Sequence, residues 1–298
     1  MTISVITPSF QQGRFIERTI QSVLSQSNNG IGRDIEYFVI DGGSKDGTLA
    51  ILQQYEHSLT WISEPDEGQA HAVNKGLALS TGEIIAWINS DDIYYPHAFS
   101  QVVSYFEENS EVCVAYGQAD WIDEADNVIG AYPVRPWDYG ELKKECYLCQ
   151  PAVFFRRSMV ERFGSLESEL HYCMDYELWL RYGQKVQFSY LPTKLAGSRM
   201  YATNKTMSCR VAAHRETNYM LKAQLGYSTR HWIYEYSKLQ LSSSSSLQET
   251  DSAFVAKLLI LSAINCWKFN RNALIIVMLK VIADRMLARR SEARSQPN

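Results

Sequence analysis

From residue 3 to residue 116 the chain repeats one pattern: a short β-branched run, a polar break, then a helical stripe. Residues 3–7, 37–40, 59–63, 83–89 and 112–116 read as strands. Residues 14–26 carry Phe15, Ile16, Ile20, Val23 and Leu24 at helical spacing. Asp46 is placed as a helix cap ahead of Leu49, Ile51, Leu52 and Tyr55, a further helix spans 68–80, and another follows Pro96. Strands alternating with helices imply a mostly parallel central sheet with crossover helices on its faces, an α/β architecture. The run EIIAWIN at 83–89 is apolar almost throughout, as for a strand covered on both faces. After Gly117 the alternation ends. A hairpin is predicted around 125–127, a strand at 150–155, a helix at 173–182 and a last strand at 186–191. Beyond Thr206 the chain reads as a C-terminal helical extension, interrupted by five serines at 242–246 that read as a flexible linker. The domain reading is therefore 1–205, with halves at about 1–117 and 118–205, followed by 206–298.

In open α/β sheets ligands bind beyond the carboxyl ends of the strands. Three predicted strands end there in polar clusters: Thr7-Pro8-Ser9-Phe10, Asp41-Gly42-Gly43-Ser44-Lys45-Asp46-Gly47-Thr48 and Asn89-Ser90-Asp91-Asp92. Any one alone reads as turn chemistry, since Asp-Gly pairs are routine turn formers. Their coincidence points to a site. Adjacent carboxylates repel unless a cation or solvent relieves them, so Asp91-Asp92 suggests a divalent metal with oxygen ligands, Mn²⁺ or Mg²⁺.

Other features exclude more than they assign. A net charge of −4 argues against a nucleic-acid partner. Cys146 and Cys149 form a CxxC with no second pair at zinc-ligand spacing, so the six cysteines read as reduced thiols. MTISVITPSF has neither a basic nor a long apolar leader, which makes cytoplasmic residence the expectation.

Four segments in order, TPSFQQGRFIERTIQSVLSQS, VIDGGSKDGT, SEPDEGQAHAVNKGL and GEIIAWINSDDIY, resemble the family 2 inverting glycosyltransferases of the GT-A fold. QPAVFFRRS and MDYELWLR continue the resemblance, which covers about the first two thirds of the chain. It implies transfer of a sugar from a nucleotide diphosphate donor, with UDP the commonest nucleotide, to a hydroxyl of a glycan or lipid-linked acceptor in bacterial polysaccharide assembly. It implies Thr7, Pro8, Ser9 and Asp41 around the nucleotide, and Gln69, Lys75, Ser90, Asp91 and Arg199 along the donor. Asp92 is implied as metal ligand and Asp175 as catalytic base. Gln150, Glu177 and Trp179 are implied on the acceptor side. Residues 198–206 resemble a segment that closes over the diphosphate. Two departures stand out: Ser90 occupies the first acidic position of the DXD motif, and Met174 precedes Asp175 where relatives carry Glu.

Two other classes fit the sequence less well. A nucleotidyltransferase would open with a Gly-rich basic loop, and this chain has TPSFQQGRF. A non-catalytic nucleotide-sugar-binding module would not require Asp91, Asp92 and Asp175 together. In the C-terminal third, residues 254–287 read as a pair of amphipathic helices followed by Arg289, Arg290 and Arg294. These helices are expected to pack on the catalytic domain or a second copy, or to lie on the inner face of the plasma membrane near a lipid-linked acceptor.

Overall fold

The computed structural model describes residues 1–28, 35–244 and 247–270. Its described residues form two compact units, Met1–Leu142 with Cys146–Met207, and 143–145 with the residues from Ser208 onward.

The first unit holds a nine-stranded sheet. In chain order its first half runs β1 (Ile3–Ser9), α1 (Ile16–Leu24), β2 (Ile35–Asp41), α2 (Thr48–Gln54), β3 (Thr60–Ser63), α3 (Gln69–Leu79), β4 (Ile84–Trp87), β5 (Ile93–Tyr94) and α4 (Ala98–Glu108). The second half runs β6 (Val114–Ile122), β7 (Val128–Ala131), α5 (Tyr139–Leu142), β8 (Val153–Arg156), α6 (Arg157–Phe163), α7 (Met174–Gly183), β9 (Ser189–Arg199) and the turn α8 (Lys205–Ser208). The strand order is β3-β2-β1-β4-β8-β6-β9-β5, with β7 paired to β6.

The first four strands of this order are parallel, as the alternation predicted. All seven residues of β1 and all four of β4 are buried, because helices cover both faces of the sheet's centre. Fully burying one such aliphatic side chain contributes about 1.5–3 kcal/mol, so β1 anchors the unit. Helix α3 lies on β1 and approaches so closely that a Cβ on Gly76 would stand 2.5 Å from Ile6 Cγ2. Because β4 follows β3 in the chain but pairs on the other side of β1, the carboxyl ends of β1 and β4 open a crevice at the switch point.

The second half is mixed. Strand β8 runs antiparallel to both β4 and β6, while β9 runs parallel to β6 through two register shifts. Two consecutive arginines fasten the β8–α6 junction. Arg156 donates to the carbonyls of Val112 and Phe106 at 2.7 and 2.9 Å, and Arg157 to Gly82 O at 2.8 Å.

Two sequence expectations change here. The last strand does not stop at 191: β9 continues through Pro192 to Arg199, held by pairing to β6 and by its turn onto β5. Ser198 and Arg199 are therefore strand residues and not part of a closing loop. Helix α6 was not foreseen, since its seven residues bury little beyond Met159.

The second unit contains α9 (Arg210–Leu225), α10 (Arg230–Ser244) and α11 (Ser252–Phe269). Ile233 and Tyr236 pack with Cys266 and Phe269, and Leu241 with Phe254 and Leu258. Of the serine run, residues 242–244 extend α10, with Ser243 and Ser244 hydroxyls returned to Gln240 O, so the linker expectation fails for them. Ser245 and Ser246 lie outside the described residues, as do Leu287 and Arg285, Arg289, Arg290 and Arg294.

Candidate active site

The loops after β1 and β2 are laced together before any ligand is considered. The backbone N–H groups of Gln11, Gln12 and Gly13 donate to Ser44 Oγ, Thr48 Oγ1 and Asp46 Oδ2 at 2.7, 3.1 and 2.9 Å. Asp46 also accepts from Thr48 N at 3.0 Å, but the N-cap of α2 is Gly47, so the expected cap residue lies one position early. Asp66 stands against Gly42: a Cβ there would lie 2.9 Å from Asp66 Oδ2, so only glycine lets the two loops approach.

Asp41 is fully buried and closes its own turn. It accepts from the N–H groups of Gly43 and Ser44 and from the hydroxyls of Ser44 and Ser63. Three of these bonds fall on Oδ2 and one on Oδ1. Thr7 is turned into the core onto Tyr37 at 3.2 Å, and Pro8 is buried beside it. Of the Thr7-Pro8-Ser9 trio, Ser9 retains an uncommitted polar atom: its buried Oγ has no hydrogen-bond partner among the described residues. Phe10, next along, is 59% exposed.

The cluster after β4 is the centre of the network. Ser90 is buried, and Asp92, 3% exposed, accepts from Arg199 N at 2.8 Å and from Asn89 Nδ2 at 3.3 Å. Asp91 is half-buried and accepts from the Tyr201 hydroxyl at 2.9 Å. Burial, and after it the charge of Asp91, push the Asp92 carboxyl well above the usual carboxylate range; burial raises Asp91 as well. Tyr201 stays protonated as the donor, its hydroxyl raised by burial and then by Asp91.

This is an arrangement a dication would relieve. Among the described residues no three His, Cys, Asp or Glu side chains converge as a ready-made cage. Cations that take most of their ligands from phosphate and water need only one or two carboxylates, and the accessible Asp91 backed by Asp92 fits that demand. Of the two carboxylates, Asp91 is the more exposed.

Around this pair lies a ring of amides. Gln69 Nε2 donates to Asn89 Oδ1 at 2.6 Å, and Lys205 Nζ reaches Gln69 Oε1 at 3.0 Å. Gln150 Nε2 donates to Trp87 O at 2.6 Å, while its buried Oε1 has no partner among the described residues. Asp175 is half-buried in the first turn of α7. Burial raises the Cys149 thiol, and Asp92, Cys146 and Asp175 add to that shift; Asp175 and Asp92 also act together on Tyr132. The two carboxylates therefore flank one region. Among the described residues no cysteine, Cys146 and Cys149 included, forms a disulfide.

Four residues expected to meet ligands are engaged within the protein. Arg199, 2% exposed, is committed inside the protein: Nε to Asp91 O and Nη1 to Asp123 O at 2.6 Å each, Nη2 paired with the Asp126 carboxylate, and the guanidinium over Phe15 at 4.9 Å. Lys75 pairs with Glu64 at 2.7 Å. Glu177 is buried and held by Arg181, 2.9 Å from Nε and 2.7 Å from Nη2, and Arg181 in turn ties to Ser165 O. Trp179 is 1% exposed and packs edge-on against Phe155 and Phe188, a core residue.

Asn89, Tyr201 and the hairpin between β6 and β7 take specific contacts in the network that their segments alone do not assign. That hairpin reads as a turn only, yet its Asp126 pairs with both Arg199 and Arg18.

Comparison with known proteins gives the family and the fold. The profile described as glycosyl transferase family 2 matches residues 4–167. An uncharacterised glycosyltransferase of Nostoc sp. is 33% identical over 133 residues, covering 43% of this chain and 40% of the relative. One of Rickettsia prowazekii is 25% identical over 220 residues, 68% of this chain and 65% of the relative. The chain thus spans less than two thirds of the length of these relatives. S. aureus TarS 1–349 in complex with UDP-GlcNAc superposes with a TM-score of 0.64 at 14% identity, covering 99% of this chain and 93% of that one. A mannosyltransferase of Pyrobaculum calidifontis, in complex with GDP-Man and Mn²⁺, gives 0.57 at 13% identity over 95% and 86%. With its parallel strands, its acidic crevice and a matching profile over more than half its length, the chain belongs to glycosyl transferase family 2 and has the GT-A fold.

Proposed function

We propose that this protein moves a glycosyl group from a nucleoside diphosphate sugar, a UDP-sugar before others, to a hydroxyl of a glycan or lipid-linked glycan, with inversion at the anomeric carbon. The single observation that carries the reading is the Asp91-Asp92 pair at the switch-point crevice, with Asp175 flanking the same buried region from α7.

Each residue then has a task. Phe10, exposed beside the β1–β2 loops, offers a ring face to a nucleobase. Ser9 Oγ and the Asp66 carboxylate supply polar partners for the nucleoside. Asp91, with Asp92 behind it, would hold Mn²⁺ or Mg²⁺, which when bound offsets the charge of the departing diphosphate. Tyr201 and Asn89 orient the two carboxylates, and Lys205 brings a cation to the rim through Gln69.

Asp175 accepts the proton of the acceptor hydroxyl as that oxygen bonds to the anomeric carbon. The bond from that carbon to the diphosphate oxygen breaks in the same step, and its electron pair leaves with the nucleoside diphosphate. Attack from the side opposite the leaving group inverts the centre. The carboxamide of Gln150, with Oε1 uncommitted, is placed to orient an acceptor hydroxyl. TarS and the Pyrobaculum mannosyltransferase, which bind UDP-GlcNAc and GDP-Man with Mn²⁺, support a nucleotide-sugar donor and a metal.

The test is release of nucleoside diphosphate from a panel of UDP-, GDP- and dTDP-sugars, with Mn²⁺ or with chelator. Metal-dependent release from one donor, accelerated by a glycan acceptor and yielding the inverted anomer, is expected. Binding without any release would make the chain a nucleotide-sugar-binding module instead.

A further inference from the structure

Charge is divided unevenly along this chain. Residues 1–207 carry 16 Lys and Arg against 27 Asp and Glu, a net of −11, while residues 208–298 carry 13 against 6, a net of +7. The basic part includes α11, whose two sides differ. One side is covered: Phe254, Leu258, Cys266 and Phe269 pack against α10, and the buried Asn265 donates to Ser237 Oγ and Gln240 Oε1 at 3.0 and 2.9 Å. Among the described residues the other side has exposed apolar positions. Ile260, Ile264 and Trp267 are 63%, 55% and 67% exposed, at helical spacings of four and three residues. Exposed Lys257 and Lys268 lie along the same face.

We propose that this face of α11 lies on an anionic lipid bilayer, its apolar stripe in the headgroup–acyl boundary and its lysines on the phosphates. A stripe of Ile and Trp flanked by Lys, on a unit of opposite charge to the lipid, is the composition of an interfacial helix. Residues 271–298 add six Lys and Arg against two Asp and Glu, strengthening the attraction. Over its 18 residues α11 has a mean hydropathy of 1.4, long and apolar enough to cross a membrane. Crossing would strip Phe254, Leu258 and Cys266 from α10 and carry Asn265 into hydrocarbon, so the helix lies on the surface and does not span it. The proposal is independent of the catalytic reading.

Flotation of the full chain with vesicles tests it. Vesicles of phosphatidylcholine alone are compared with an equal mixture of phosphatidylcholine and phosphatidylglycerol. The chain is expected to float with the mixture only, and to be released as salt is raised. Replacing Ile260, Ile264 and Trp267 together by Ser should weaken binding by about tenfold or more with the melting temperature kept, because all three side chains are exposed. Lys257→Glu with Lys268→Glu should do likewise. Equal flotation with both vesicles, or with neither, overturns the proposal. So does a serine variant that floats like the wild type, or one that turns a dimer into a monomer in sedimentation, which would give the face to a second copy.

Discussion

The reassignment of Arg199 from donor ligand to internal clasp makes a quantitative prediction. Arg199→Met keeps an unbranched apolar chain over Phe15 but removes a guanidinium that serves Asp91 O, Asp123 O and the Asp126 carboxylate. Removing one partner of a fully buried ion pair costs about 3–5 kcal/mol. Asp126 is 32% exposed and keeps Arg18 at 2.9 Å, so the lower end, about 3 kcal/mol, applies. For a unit of roughly 200 residues each kcal/mol lowers the melting temperature by about 2–4 °C, giving a drop of about 6–12 °C. Arg199→Lys should recover little of it, since one ammonium cannot serve three diverging acceptors. The assay is thermal unfolding followed by circular dichroism without ligand. A variant melting within about 2 °C of the wild type, with a raised donor KM, would refute the clasp and restore Arg199 to the diphosphate.

Other consequences are as concrete. Asp175→Asn should lower kcat by about 10²–10⁴-fold while leaving nucleotide-induced thermal stabilisation unchanged, as read by transfer kinetics beside melting curves. Burial disfavours the Glu36 carboxylate, but hydrogen bonds from Ser4, Thr81 and the N–H groups of Thr81 and Gly82 outweigh that and hold its pKa at about 2, against 4.5. With the folded value below the unfolded one, its stabilisation is complete above pH 4.5 and lost as pH falls toward 2. The stability gap between wild type and Glu36→Gln, measured by urea unfolding, should therefore close across that window. Gly76→Ala drives a methyl to 2.5 Å from Ile6 Cγ2 and should cost about 1–3 kcal/mol. In an Ile6→Ala background, which lacks both clashing γ carbons, the further cost of Gly76→Ala should shrink, a non-additive pair.

The donor half was legible because its signals are local. Strands β1, β2 and β4 announce themselves as apolar runs, and the clusters at their ends are contiguous in sequence. The second half depends on distant pairing. Strand β9 passes through Pro192 because β6 accepts it with two register shifts, which no window of sequence contains. Side-chain partners were harder still. Asp175 and Glu177 are two residues apart on a helix, so they point about 200° apart, and Glu177 turns inward to Arg181. Asp91 and Asp92 were found as a pair, but which of them faces outward was decided by Arg199 N, 107 positions away. Tyr201, within the segment 198–206, and Asp126, within the predicted hairpin, take their partners through similar long-range contacts that neither segment shows.

The most direct test of the central claim is the melting temperature with UDP, measured with Mn²⁺ and with chelator, on the wild type and on Asp91→Asn. A nucleotide at about a hundredfold excess over its Kd stabilises by about 2.7 kcal/mol, a shift well above error. A rise that requires metal and disappears in Asp91→Asn is the predicted result. The same rise with chelator, or an undiminished one in Asp91→Asn, would contradict the account and place the donor elsewhere.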